Sequence, residues 1–556
     1  MRPPLGSGAV PAPIEGLDPM ITALLRPEAY DHPVGEIRLL QTHISWVLLT
    51  GPFAYKIKKP VNFGFVDFST VERRRWFCQE ELRLNQRLAP DLYLDLCAIH
   101  GPVERATFVG PGAVLELAVR MHQFDQNLLL PARLASSAVD PEAFEALAER
   151  LAAFHGAAAV APAGGTFGSP QAVLAPALAN LDSLEESAAA LPLERRRLER
   201  LRGWTLAEAT RLEPLLAERL QGGFIRECHG DLHLGNLVLQ ERRIEAFDCL
   251  EFSPSLRWID PISDLAFLAM DLSRAQQRRS ADRLLNRWLE CSGDYGGLAL
   301  WRWYGVYRAL VRAKVTALRL RQLPAVPALA AAAERPSLEQ ELEAYLGHAE
   351  QLCRPRPPLL VLTHGVSGSG KSVLAARLVT RGGWIRLRSD VERRRLFGGW
   401  GTPPTAPLQG DPYQAGVSEL LYGTLLPAAA MAVLAAGLDV VVDATFLRRD
   451  QRQRFRSLAR RWGAGFAILE CRCPPALAAE RIARRRRQGG DPSEADGAVL
   501  ERQLASLEPL GPEEALEQVT VLASEVEDSY QVAANEKAVV RALEARRPLR
   551  NDPAGA

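Results

Sequence analysis

Apolar positions along this chain change their period more than once. From residue 43, HISWVLLT and FAYKIKKPV read as two strands on either side of a Gly51-Pro52 turn. ERRRWFCQEELRLNQRLA, residues 72–89, carries apolar residues at helical spacing, and LELAVRMHQF, 115–124, reads as another strand. Helical patterns dominate from 141 to 220, give way to strand–loop–strand over 224–252, and resume to about 350. The pattern predicts a small β-rich lobe followed by a larger, mostly helical one. After CRPRPPLL at 353–360, whose prolines suit an extended spacer, strands and helices alternate. LLVLTHG, WIRLRS, LDVVVDATF, FAILECR and VTVLAS are five strand candidates, and their alternation with helices implies a parallel α/β sheet.

Composition narrows the class. At 556 residues the chain is too long for one ordinary core. It is 47% hydrophobic and 24% charged, as soluble globular proteins are. A formal net charge of +1 argues against a nucleic-acid coat or a polybasic membrane anchor. The opening MRPPLGSGAVPAPIEGL has no apolar stretch of signal-peptide length. The most apolar stretch, LLPAAAMAVLAAGLDVVVDATF, breaks at Gly437 and Asp439 and reads as a helix followed by a buried strand, so no transmembrane helix is expected. The eight cysteines include no CxxC pair and are expected to be reduced, in a cytoplasmic protein.

Two phosphate-transfer signatures then stand out. Residues 229–236 read HGDLHLGN, with FD at 247–248. An Asp on a tight loop accepts the proton of an incoming hydroxyl, an Asn five residues on reaches a magnesium ion, and a second Asp after a strand supplies another metal ligand. Those residues are Asp231, Asn236 and Asp248. Asp260 and Asp264, in RWIDPISDLAFL, are expected to brace the loop. Residues 365–372 read GVSGSGKS, a complete GxxxxGK[ST] between an apolar strand and a helical pattern. Its backbone N–H groups, from Gly365 through Ser367, Gly368, Ser369 and Gly370, cradle phosphates; Lys371 reaches them and Ser372 binds magnesium. Downstream, Asp390 in RLRSDVERRR is placed to orient or deprotonate an acceptor hydroxyl, and Arg393 to hold an acceptor phosphate. Asp443 ends the strand LDVVVD at a position that acts on magnesium. ERIARRRRQGGDPSEAD, 480–496, looks like a lid on a Gly-rich hinge, with Arg481 and Arg485 one helical turn apart.

The first signature, with Gly where protein kinases carry Arg and His at 233, resembles the aminoglycoside phosphotransferase and choline or fructosamine kinase branch over about 35–330. That resemblance implies a two-lobed fold with ATP in a cleft, a strand Lys on its phosphates, a helical Glu paired with the Lys, and a hinge strand at the adenine. Lys56 and Lys58 share a face by strand alternation and both remain candidates, with Lys56 preferred. Glu81 fits the paired Glu, Glu80 being the alternative, and the hinge falls near Val119 to Met121. The second signature resembles the small P-loop kinases that include polynucleotide 5′-kinase, gluconate kinase and the zeta-toxin group, over about 358–515.

The expected organisation is a lead-in over 1–34, an α+β bilobal protein-kinase-like domain over 35–350, a linker at 351–358, an α/β P-loop domain with a parallel sheet over 359–530, and a frayed tail over 531–556. The expected activity is a bifunctional kinase using ATP and Mg2+, each site phosphorylating a hydroxyl of a small molecule or nucleotide. Arg308, Arg312 and Arg319, on one face of the helix over 301–320, would form a basic wall favouring an anionic acceptor. Two rivals stand beside this reading. One is a nucleotide-sensing regulator with a non-catalytic ATP site. The other is a nucleic-acid 5′-end kinase, which needs an extended basic groove with stacking aromatics that the sequence does not show.

Overall fold

The computed structural model describes residues 17–548 except 65, 137–138, 163, 324–328, 355, 402–405, 489–491 and 523–528. Two compact units result. One gathers the chain up to Val139 with Cys228–Trp258, and the other gathers Asp140–Glu227 with everything from Ile259 onward.

In the first unit, β1 (Arg38–Gln41), β2 (Ser45–Leu49), β3 (Phe53–Lys58), β4 (Tyr93–His100) and β5 (Val114–His122) form an antiparallel sheet in the order β1-β2-β3-β5-β4. The β2–β3 turn sits at Gly51, whose φ of 101° suits a residue without a Cβ. The lead-in is more ordered than its prolines imply. Asp18 caps a short helix, α1 (Pro19–Leu24), and Ile21 and Leu24 are fully buried with Trp46, Tyr55 and Ile57. α2 (Val71–Asn85), capped by Thr70, covers the sheet, and α3 (Leu130–Ser136) follows β5. The strand–loop–strand segment pairs β6 (Leu237–Gln240) with β7 (Arg243–Ala246).

The second unit holds a helical assembly and a parallel sheet with its own helices. Helices α4 (Pro141–Ala157), α5 (Pro170–Ser187), α6 (Arg195–Gln221), α7 (Pro261–Arg274), α8 (Arg278–Ser292), α9 (Trp301–Gln322) and α10 (Leu329–Cys353) include a core of Leu181, Phe267, Val306, Leu310 and Tyr345. The chain then enters a parallel sheet whose strands are β8 (Leu359–His364), β9 (Ile385–Arg388), β10 (Val440–Asp443), β11 (Gly465–Arg472) and β12 (Gln518–Leu522), ordered β9-β10-β8-β11-β12. The central strands β8 and β10 are buried, largely apolar runs because both faces of a parallel sheet are covered there, whereas the edge strands β9 and β12 alternate with polar residues. The helices of this segment are α11 (Lys371–Gly382), α12 (Ser389–Leu396), α13 (Ala415–Ala435), α14 (Arg449–Arg461), α15 (Pro475–Gln488), α16 (Gly497–Ser506) and α17 (Ser529–Glu544), of which α11, α13, α14 and α17 pack on the sheet.

Three further features stand out against expectation. α13 is long and apolar enough, by length and composition, to cross a membrane, but Leu421, Leu426, Ala430, Val433 and Leu434 along it are buried in the protein. The tail is not frayed at its start: Leu543 on α17 is fully buried with Leu359 and Leu469, and Arg547 pairs with the buried Asp439 at 2.9 Å. The compact units also cross the expected domain boundary, because α8 packs along β9, the edge strand of the parallel sheet.

Candidate active sites

The first site forms where the loop after residue 228 meets β3, α2 and the turn after β7. Gly230 has φ 86°, and a Cβ there would lie 2.9 Å from the carbonyl oxygen of Leu256, so this tight loop requires glycine. His229 is fully buried: Nε2 donates to the Phe247 carbonyl at 3.0 Å and Nδ1 accepts from the Asp231 N–H at 3.3 Å. Asn236 donates to the Asp231 carbonyl at 3.0 Å and to its carboxylate at 3.2 Å, and His233 Nε2 lies 3.4 Å from the same carboxylate. Asp248 sits at φ 63°, strained for a residue with a side chain, with its N–H donating to the Tyr93 hydroxyl at 3.3 Å.

Lys56 and Lys58 do share a face, yet their surroundings differ. Lys56 Nζ lies 2.6 Å from Asp248 Oδ1 and 2.7 Å from Glu81 Oε1. Lys58 Nζ lies 2.5 Å from Glu81 Oε2 and pairs on its other side with Glu251. Both lysines sit between two carboxylates, but Lys58 is 1% exposed and enclosed whereas the Lys56 side chain is 13% exposed. Burial works to raise the Glu81 carboxyl, but Lys56 and Lys58 outweigh it and hold it down to about 2. Burial opposes the charge of Lys56 too, and Asp248 and Glu81 override it, raising its pKa well above the ordinary lysine value. Glu80 instead pairs with Arg83 and Arg257, at 2.8 and 3.2 Å. Met121, in the expected hinge, is a ladder residue registered with Ala54 and Tyr93, one position before the end of β5 at His122. Glu251 belongs to no sequence motif. Its only signal is a lone acidic residue in CLEF, three positions after Asp248.

Asp260 and Asp264 have partners inside the helical layer. Arg219 donates to both oxygens of Asp260, at 2.5 and 3.0 Å, and Asp264 lies 3.5 Å from His155. The basic wall does not form. Arg308 is buried and donates to the Ser263 hydroxyl at 2.9 and 3.1 Å, Arg312 donates to the Tyr345 hydroxyl at 3.1 Å, and Arg319 pairs with Glu334 at 2.8 Å.

The second site opens at the C-terminal ends of β8 and β10, as expected for a parallel sheet. Gly365, at φ 141°, approaches so closely that a Cβ would lie 2.5 Å from the Cys471 carbonyl oxygen, and one on Gly368, at φ 80°, 2.5 Å from that of Ala478. Gly370, at φ 94°, caps α11, aiming the helix N-terminus into a cavity of about 550 Å³. Lys371 is folded back, Nζ donating to the Val366 carbonyl at 2.7 Å, and burial lowers its pKa. Ser372 donates to Asp443 Oδ1 at 3.1 Å. Burial raises the Asp443 carboxyl, against the pull of Arg386 and Arg388. The Ser367 N–H donates to Gln503 Oε1 at 2.7 Å, so a side-chain oxygen from α16 occupies one cradle donor.

Asp390, Arg393, Arg481 and Arg485 line the same cavity. Arg393 is 6% exposed, donates to the Pro412 carbonyl at 2.7 Å and lies over the Tyr413 ring at 4.7 Å, leaving Nε without a hydrogen-bond partner. Arg481 lies beside Gly370, and Arg485 donates to the Ala495 carbonyl at 3.4 Å. The expected hinge glycines, 489 and 490, lie outside the described residues. The site fits a magnesium nucleotide on its own chemistry. The glycine cradle excludes a Cβ, and Ser369 Oγ and Asp443 Oδ2 are buried without hydrogen-bond partners. Tyr413 and Gln503, both on the cavity wall, had no motif to reveal them.

Comparisons with known proteins match both segments. A model described as the phosphotransferase enzyme family matches residues 78–301, and one described as an AAA domain matches residues 360–510. Uncharacterized proteins of Mycobacterium tuberculosis and Mycobacterium bovis are 31% identical over 479 residues, spanning 84% of this chain and 91% of theirs. Among solved structures, a choline/ethanolamine kinase family protein from Mesorhizobium loti covers 60% of this chain and 98% of its own, at 13% identity and a TM-score of 0.35. A gluconokinase from Sinorhizobium meliloti covers 34% of this chain and 98% of its own, at 23% identity and a TM-score of 0.24.

Proposed function

The chain belongs to the same family as its mycobacterial relatives, an ATP-dependent kinase carrying a phosphotransferase segment and a P-loop segment, and on that premise we propose that it is bifunctional. Each site transfers the γ-phosphate of ATP to a hydroxyl group of a small molecule, and the acceptor of the P-loop site is anionic.

The observation that carries this reading is the charge of the 550 Å³ cavity. Lys371 and seven arginines (377, 393, 448, 481, 484, 485 and 502) line it, against the carboxylates Asp390, Glu419 and Asp443. Eight cations facing three carboxylates exceed what one magnesium nucleotide needs, and Arg393 keeps a buried, unpartnered N–H for a further anionic group. Magnesium, held by Ser372 and Asp443, would neutralise phosphate charge. The cradle N–H groups and Lys371 bind phosphate oxygens, Asp390 takes the proton of the acceptor hydroxyl, Arg393 orients the acceptor, and Arg481 and Arg485 offset charge from the lid.

At the first site, Lys56 is the phosphate ligand, with Glu81 fixing its position. Asn236 and Asp248 would hold magnesium, and Asp231, oriented by Asn236 and His233, accepts the acceptor proton. The test is phosphorylation of pooled sugars, sugar phosphates, hydroxy acids, nucleosides and 5′-hydroxyl oligonucleotides by the intact chain and by Asp231→Ala and Lys371→Ala. Distinct acceptors lost in each variant support the reading. Phosphorylation confined to oligonucleotides, or to uncharged acceptors at the P-loop site, would overturn the acceptor assignment.

A further inference from the structure

The edge strand of the P-loop sheet is sealed by a helix from the phosphotransferase segment. α8 lies within residues 78–301, the range matched by the phosphotransferase family, and β9 lies within 360–510. Asn286 of α8 takes the place of a missing neighbour strand: its Nδ2 donates to the Trp384 carbonyl at 3.0 Å and its Oδ1 accepts from the Arg386 N–H at 2.8 Å. One helical turn on, Glu290 is 2% exposed. Its carboxylate accepts from Arg386 at 2.7 and 3.2 Å and lies 3.7 Å from Arg388 Nη1. Its carbonyl accepts from Arg395 and, at 3.1 Å, from Trp400 Nε1.

Arg388 ties this seal to the chemistry. It is registered directly opposite Asp443 on β10, and its Nε lies 3.9 Å from Asp443 Oδ2. That oxygen has no hydrogen-bond partner, while Oδ1 accepts from Ser372. A continuous chain therefore runs from Glu290 through Arg388 and Asp443 to the P-loop serine. Two arginines beside one buried carboxylate would draw it into an ion pair. Glu290 offsets that charge and lies beside the Arg388 guanidinium, so Asp443, which lines the cavity, keeps one oxygen free of a hydrogen bond.

We propose that Glu290 is a positioning residue of the P-loop site, contributed by the phosphotransferase segment and acting through Arg388 on Asp443. This rests on the reading of Ser372 and Asp443 as the groups that hold magnesium. It makes the P-loop site dependent on a residue outside its own segment, so the phosphotransferase segment bears on the P-loop site through α8.

The test is calorimetric binding of ADP to the full chain, with and without Mg2+, in a Lys56→Ala background that removes the first site. In Glu290→Gln, the Mg2+ concentration giving half-maximal enhancement of ADP binding rises about tenfold or more, in the range seen when outer-shell partners of metal ligands are lost, while Mg2+-free ADP affinity changes less than about twofold. Arg388→Gln, which keeps the Glu290–Arg386 pair, gives a shift in the same quantity and stands in if Glu290→Gln does not fold. Asn286→Ala lowers the melting temperature yet leaves the Mg2+ requirement unchanged, because it seals the edge without touching Arg388. An unchanged Mg2+ requirement in folded Glu290→Gln and Arg388→Gln, or an equal shift in Asn286→Ala, overturns the proposal. Asp443→Asn separates the two levels of inference: if it too leaves the Mg2+ requirement unchanged, the underlying magnesium reading falls and takes the proposal with it.

Discussion

Lys56 and Lys58 lie two positions apart and share one carboxylate, yet their partners divide their work. Strand alternation placed both on one face, and that much was legible. What separates them is Glu251, a residue nearly 200 positions away that encloses Lys58. Removing one member of a fully buried ion pair leaves its partner uncompensated, at a cost of about 3–5 kcal/mol. Lys58→Met is therefore expected to destabilise the chain by about that amount in denaturant titration. Lys56→Ala, whose loss leaves Glu81 paired with Lys58, is expected to destabilise it less and to abolish nucleotide binding at the first site. The sign of the pH dependence follows from Glu81. Its folded-state pKa, about 2, lies below the ordinary value of 4.5, so its pairing stabilises the protein above pH 4.5 and is lost as pH falls toward 2. An acid melting series should show this loss in the intact chain and a smaller one in Lys58→Met.

At the scale of elements, what could be read depended on length and on local signals. All five strands of the parallel sheet were legible, the central ones as apolar runs and the edge strands β9 and β12 as short apolar–polar alternations. α1 was not, because six residues in a proline-rich stretch carry too little periodicity and their burial comes from β2 and β3. α17 looked like a fraying tail because its buried positions, Val539 and Leu543, are set by the sheet. The P-loop was legible in full, since its glycines answer to a fixed backbone geometry. Gly368→Ala places a Cβ 2.5 Å from the Ala478 carbonyl oxygen at a positive φ. It is expected to weaken ATP binding at the second site by at least tenfold in calorimetry while leaving far-ultraviolet circular dichroism unchanged.

At the scale of the whole molecule, the chain order implied two modules joined by a proline-rich spacer, and the families matched on either side of it agree. The spacer does not mark the limit of packing. Asn286 and Glu290 reach β9 across about 100 residues of sequence, and no local pattern announces such a contact. Excising residues 359–556 would strip that cover and leave an unpaired parallel-sheet edge, a surface prone to pairing with other chains. The excised segment is expected to melt well below the intact chain and to aggregate, as light scattering during a thermal ramp would show. The central claim is that one chain holds two nucleotide sites, and the most direct test is the stoichiometry of a non-hydrolysable ATP analogue, measured by calorimetry in the presence of Mg2+. The account predicts two equivalents bound by the intact chain and one by each of Lys56→Ala and Lys371→Ala. A single equivalent in the intact chain, unaffected by one of the two substitutions, would contradict it.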